Sequence, residues 1–172
     1  MDKAELAKKV KAACYLEGDF ILSSGRRSKY YLDKYRFSTL PELLRAVAKE
    51  LAARLPEGIN RIAGAELGAV PLAAAVSLET GLPYVIVKKE TKDYGTKNPV
   101  EGVLNAGDRV ALVEDIITTA AQSIKAAQRL VAAGATVEKI IGVIDREEGG
   151  SENIAAAGFA YDRVFTKSEL GI

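Results

Sequence analysis

The chain has 172 residues and a mass of 18.3 kDa, with 48% hydrophobic and 27% charged residues, the proportions of one globular domain with a sizeable core. Its 24 basic residues stand against 23 acidic ones, a balance that argues against a general nucleic-acid or anionic-membrane binder. It contains no histidine and one cysteine, which removes the commonest general base, an internal disulfide and a structural zinc site.

Residues 2 to 15 are predicted to form the first helix, and Cys14 falls on its alanine-rich pattern as a thiol expected to be buried in a reducing cytoplasm. No apolar run approaches the length of a membrane span, and MDKAELAKK lacks a signal-peptide core, so a cytoplasmic protein without a membrane partner is expected. The segment DFILSSGRRSKYYLDKYRF reads as two extended pieces around a turn at Ser23 to Arg27. Pro41 marks a helix start with Thr39 as the expected N-cap, and LLRAVAKELAARL keeps helical periodicity up to Pro56-Glu57-Gly58. Then follow strand Arg61 to Ala65, helix Pro71 to Thr80, strand Tyr84 to Val87, strand Val110 to Val113, helix Ser123 to Ala133 and strand Ile140 to Ile144. Strands alternating with helices predict an α/β fold with a parallel sheet wound by right-handed crossovers.

Two connections carry the chemistry. In VALVEDIITTAAQS, Val110 to Val113 is a buried strand and Glu114 to Gln122 reads as the loop leading into a helix. Such loops lie at the carboxyl edge of a parallel sheet, where ligands bind, and open on a helix start that attracts anions. Glu114 and Asp115 would repel a phosphate placed on them and suit hydroxyls or a cation, so a ribose 5-phosphate satisfies both halves of the loop. The plainer alternative makes Asp115 a turn cap and Glu114 a solvated acid. The second connection, Lys88 to Asp108 (KKETKDYGTKNPVEGVLNAGD), is too polar for core and too long for a passive link. Its Lys88, Lys89, Lys92 and Lys97 are either solvated surface or a cationic lid for a polyanionic leaving group such as pyrophosphate.

Three stretches, LSSGRRSKYYLD, KKETKDYGTKNPVEG and VALVEDIITTAAQS, together resemble the type I phosphoribosyltransferases, and among them the orotate-specific family. The resemblance spans nearly the whole chain. It implies one domain over residues 1–172, a central parallel sheet flanked by helices, a small amino-terminal hood at about residues 1–38 and a flexible catalytic loop at about residues 88–108. It implies transfer of the phosphoribosyl group of phosphoribosyl pyrophosphate (PRPP) to orotate, with release of pyrophosphate, in pyrimidine synthesis. Phosphoribosyl transfer to another base, and a non-catalytic PRPP or nucleotide sensor on the same fold, are the alternatives.

By the same resemblance Lys88, Lys89, Lys92, Tyr94 and Asp115 are catalytic. Glu114 and Asp115 hold the ribose hydroxyls, and the run Ile116, Ile117, Thr118, Thr119, Ala120, Ala121 and Gln122 cradles the 5-phosphate. Leu67 and Gly68 in GAELGAVP face the pyrophosphate, while Tyr30, Tyr31, Thr118 and Arg146 receive orotate. Arg146 lies in VIDREEGG, which on its own reads as a charged turn, and Tyr30-Tyr31 alone as a packing pair. Mg²⁺ is implied as cofactor, carried mainly by PRPP and water without a protein metal cage. A homodimer is implied, with loop Lys88–Lys97 acting in the neighbouring subunit's site. The chain departs from the family pattern at Tyr94, often histidine, and at Ala120, Ala121 and Gln122, where glycines and a hydroxyl residue are usual. A left-handed backbone at either alanine would cost about 1 kcal/mol.

Overall fold

A computed structural model describes residues 1–21, 25, 27–89 and 98–172. Helix α1 (Lys3–Cys14) is capped by Asp2, whose carboxylate accepts from the Glu5 amide at 2.8 Å. Strands β1 (Tyr15–Ile21) and β2 (Arg27–Leu32) pair antiparallel in a separate two-stranded sheet. A short helix follows, α2 (Lys34–Ser38), where the sequence reads as extended. Asp33 caps it through the Tyr35 amide at 3.1 Å. The expected capping role of Thr39 is corrected: its hydroxyl donates to the Tyr35 carbonyl at 2.6 Å and closes α2. Leu40 takes the N-cap position of α3 (Pro41–Ala52) without a side-chain bond, so α3 relies on Pro41 at its start.

Strand β3 (Arg61–Ala65), helix α4 (Val70–Thr80), strand β4 (Tyr84–Val87), the two-residue strand β5 (Val100–Glu101), strand β6 (Arg109–Ile117), helix α5 (Ala121–Ala132), strand β7 (Thr136–Asp145), helix α6 (Gly150–Ala156) and strand β8 (Tyr161–Thr166) complete the order. The main sheet runs β5-β4-β3-β6-β7-β8, parallel except where β5 joins β4. Alternate strand residues feed two cores. Ile62, Ala111 and Val113 meet α1, α3 and α4, whereas Ala63, Val110 and Leu112 meet α5 and α6.

The segment read as too polar for core contributes to it at its carboxyl end. Val100 is buried beside β4, and the buried Asp108 carboxylate takes Arg61 at 3.0 Å and the Asn105 amide at 2.8 Å. The strand order also positions the site. The chain leaves β3 toward β4 and then crosses back to β6 on the other side, so the carboxyl ends of β3 and β6 diverge. Such a switch point opens a crevice for ligands.

Candidate active site

A cavity of about 920 Å³ occupies that crevice. Its floor is the end of β6, its walls are the Glu66–Leu67 turn and the start of α5, and Tyr31, Lys34 and Tyr35 overhang it from the amino-terminal segment.

Glu114 and Asp115 sit on β6 itself, which corrects the reading of a loop from Glu114. Pairing with β7 continues through Ile117 opposite Asp145, and this holds both acids in strand geometry. Each acid is buried. Glu114 accepts from the Ser123 hydroxyl at 3.0 Å and from the Asp115 amide at 3.1 Å. Asp115 Oδ1 accepts from the Ile116 amide at 2.6 Å, and Oδ2 lies 3.1 Å from Lys34 Nζ. A carboxylate oxygen accepts from more than one donor, so Asp115 Oδ2 keeps its capacity to accept from a ligand beside Lys34.

Burial, reinforced by the Asp115 charge, pushes the Glu114 carboxyl from its ordinary 4.5 up to about 8. Burial acts to lower the Lys34 pKa, but the Asp115 carboxylate outweighs it and holds the ammonium above its usual range. The native protein therefore retains the Glu114 proton between about pH 4.5 and 8, where the unfolded chain has lost it. Over that window the unfolded state binds fewer protons, so this residue makes stability fall as pH rises. Glu114→Gln is expected to flatten the fall, as measured by denaturant midpoints at pH 5 through 8.

The turn after β6 exposes Thr118, Thr119, Ala121 and Gln122 to the cavity, and the opening amides of α5 have no intrahelical partners. Ala120 takes the left-handed conformation, φ 63°, at the N-cap of α5, while Ala121 begins the helix. Ala120→Gly is expected to raise the melting temperature by about 2–4 °C, from relief of about 1 kcal/mol of backbone strain. A calorimetric scan of the two proteins measures it.

Other predicted residues are distributed unevenly. Ile116 lines the cavity, but the Ile117 side chain is buried in the core and offers a ligand only its backbone. Leu67 is exposed on the cavity wall, whereas Gly68 is buried and packed against Asp115. Tyr31 lines the cavity. Tyr30 instead stacks on Tyr15 at 5.6 Å and lies under the Arg146 guanidinium, 5.8 Å from its ring centre. Tyr30 thus reaches the cavity through Arg146, whose side chain lines it and pairs with Glu148 at 3.0 Å. Lys88 lines the cavity with its ammonium 2.7 Å from Glu101, and the Lys89 amide donates to Glu66 at 3.0 Å. Lys92, Tyr94 and Lys97 lie outside the described residues.

No protein-family model matches the sequence. The orotate phosphoribosyltransferase of Methanocella arvoryzae is 45% identical over 153 residues, 89% of this chain and 87% of its own. The crystal structure of Mycobacterium tuberculosis H37Rv orotate phosphoribosyltransferase with Fe(III) dicitrate superposes with a TM-score of 0.88 at 32% identity, covering 100% of both chains. The chain belongs to the orotate phosphoribosyltransferases. These are pentosyltransferases of pyrimidine biosynthesis with the type I phosphoribosyltransferase fold. The structure of the M. tuberculosis orotate phosphoribosyltransferase in complex with PRPP matches over 100% of both chains, with a TM-score of 0.84 and 30% identity.

The cleft also contains residues that sequence patterns did not single out. Lys34, Tyr35, Glu66, Ser123, Ala126 and Arg129 all line it. Gln122, Ala126 and Arg129 stand at i, i+4 and i+7 on α5, a spacing readable in advance once one of them is assigned. Arg129 Nη1 donates to the Lys88 carbonyl and, at 2.9 Å, to the Lys89 carbonyl, tying α5 to the lysine pair. Lys34 had no such signal.

Proposed function

We infer that the chain transfers the 5-phosphoribosyl group of PRPP to orotate, giving orotidine 5′-phosphate and pyrophosphate. The observation that carries this reading is the grouping, in one cleft, of two buried carboxylates, a helix start and an arginine. Each matches one part of the reacting pair. The 5-phosphate suits the turn Thr118 to Gln122 and the start of α5. The 2′ and 3′ hydroxyls suit Glu114 and Asp115, where Asp115 Oδ2 can still accept a hydrogen bond.

As the bond from C1′ to pyrophosphate lengthens, positive charge grows on the ribose and negative charge on the leaving group. Asp115 stabilises the first. Lys88, Lys89 and Lys92, with Tyr94 as a hydrogen-bond donor, stabilise the second. The planar fork of Arg146 suits the carboxylate of orotate, and the exposed ring of Tyr31 suits its face. Tyr30 contributes by supporting Arg146. Leu67, on the turn after β3, borders the pyrophosphate.

Among the described residues no group of three or more histidine, cysteine, aspartate or glutamate side chains could hold a metal. The carboxylates at hand, Glu114 holding its proton near neutral pH and Asp115 already facing the Lys34 ammonium, fit an ion that arrives on PRPP oxygens and meets them only through its water. Mg²⁺ bound in that way would neutralise pyrophosphate charge. A homodimer in which loop Lys88–Lys97 serves the neighbouring site, and a cytoplasmic location, complete the proposal. Among the described residues no helix is long and apolar enough to cross a membrane.

The test is loss of orotate absorbance with PRPP and Mg²⁺, coupled to orotidylate decarboxylation, beside Lys92→Ala. Turnover that collapses in the variant supports the transferase and the loop together. PRPP binding by calorimetry without turnover would identify a sensor.

A further inference from the structure

The amino-terminal segment reaches the acids of the cleft through one side chain. Lys34 opens α2, directly after the strand that carries Tyr31, and its ammonium lies 3.1 Å from Asp115 Oδ2. Asp115 is only 2% exposed, whereas the Lys34 side chain is 36% exposed on the cavity wall. The carboxylate is thereby held at three points: the Ile116 amide at Oδ1, Lys34 at Oδ2, and the Gly68 backbone pressed against Oδ2. Tyr35 stands beside the same ammonium, 5.5 Å from ring centre to nitrogen, and limits where it can swing.

We propose that Lys34 is a positioning residue for the ribose: it aims the Asp115 carboxylate at the sugar hydroxyls and couples the hairpin segment to the acid on β6. The proposal deepens the transferase reading and rests on it. An aspartate has two soft torsions, and a strand end alone fixes neither. A cation on one oxygen and an amide on the other remove that freedom before substrate arrives, so the ordering cost is met in folding. The Lys34 contact has a second consistent effect, because its charge also opposes the upward shift at Glu114.

Lys34→Met is expected to lower kcat/KM for PRPP by about 10-fold or more, the worth of one charge-assisted contact, with KM for orotate within about 2-fold. Lys34→Arg should recover most of the loss. In an Asp115→Asn background, Lys34→Met should change kcat/KM for PRPP by less than about 2-fold, because Lys34 acts through that carboxylate. A Lys34→Met enzyme with wild-type kcat/KM overturns the proposal. So does a full further loss in the Asp115→Asn background, which would put Lys34 in direct contact with substrate. If Lys34→Met does not fold, Lys34→Gln carries the same comparison with its stem length nearly kept. PRPP affinity measured by calorimetry gives a readout independent of turnover. An inactive wild-type protein that binds PRPP would therefore sink the transferase reading, while the Lys34 cycle is still decided by affinity.

Discussion

Asp115→Asn is expected to reduce kcat by about 100-fold or more, the scale of removing one preorganised electrostatic partner of a transition state, with the fold retained. The substitution preserves size and leaves an oxygen able to accept from the Ile116 amide, now 2.6 Å from Oδ1. What it removes is the negative charge beside the ribose carbon on which positive charge develops. Lys34 then loses its partner, but its half-exposed ammonium can turn to water, so the loss of stability is small compared with stranding a buried charge. Steady-state rates by orotate absorbance, alongside thermal unfolding, separate the two effects. A fall in kcat of less than about threefold would show that the Asp115 charge does not act on the transition state, and a lowered melting temperature beside it would assign the residue to the stability of β6 instead.

Gly68→Ala tests the same carboxylate by crowding. A Cβ at residue 68 would stand 1.6 Å from Asp115 Oδ2 and 3.3 Å from Lys34 Cε. The backbone is not the obstacle, since Gly68 is absent from the positive-φ positions. The carboxylate must instead rotate or retreat by more than about an ångström to restore an ordinary contact. Displacements of that size in a reacting group cost about 100-fold in rate, so kcat/KM for PRPP should fall by that order. KM for orotate should move far less, because Arg146 and Tyr31 are on other walls of the cleft. Equal losses for both substrates would mean that the whole turn after β3 had shifted, and a structure of the variant would show it.

Local pattern carried much of the architecture. Short β-branched and aliphatic runs between turn residues define β3 and β4 with the same ends in sequence and structure, Arg61–Ala65 and Tyr84–Val87. The acidic pair, the helix start after it and an arginine following an apolar strand were all legible, because each is a chemistry written within a few consecutive residues. The family resemblance extended this to a substrate.

The misses share a physical cause. Strand β6 runs on through Glu114 and Asp115 because β7 continues to pair with it, and two acids on a buried strand are readable as strand only when that partner and Ser123 are in place. Strand β5 exists through β4 alone, β8 through its pairing with β7, and α6 through Ile154 in the second core. Likewise the left-handed Ala120 goes against residue preference and is held where β6 turns into α5. By itself the sequence determined the α/β alternation, most strands and helices of the main sheet, and the kinds of group in the site, since these depend on periodicity and neighbouring residues. Only the tertiary structure decided where strands end, that Lys34 meets Asp115 across 81 positions, and that Gly68 must lack a side chain. Those are contacts between distant segments, and no local pattern encodes the distance at which two such segments meet.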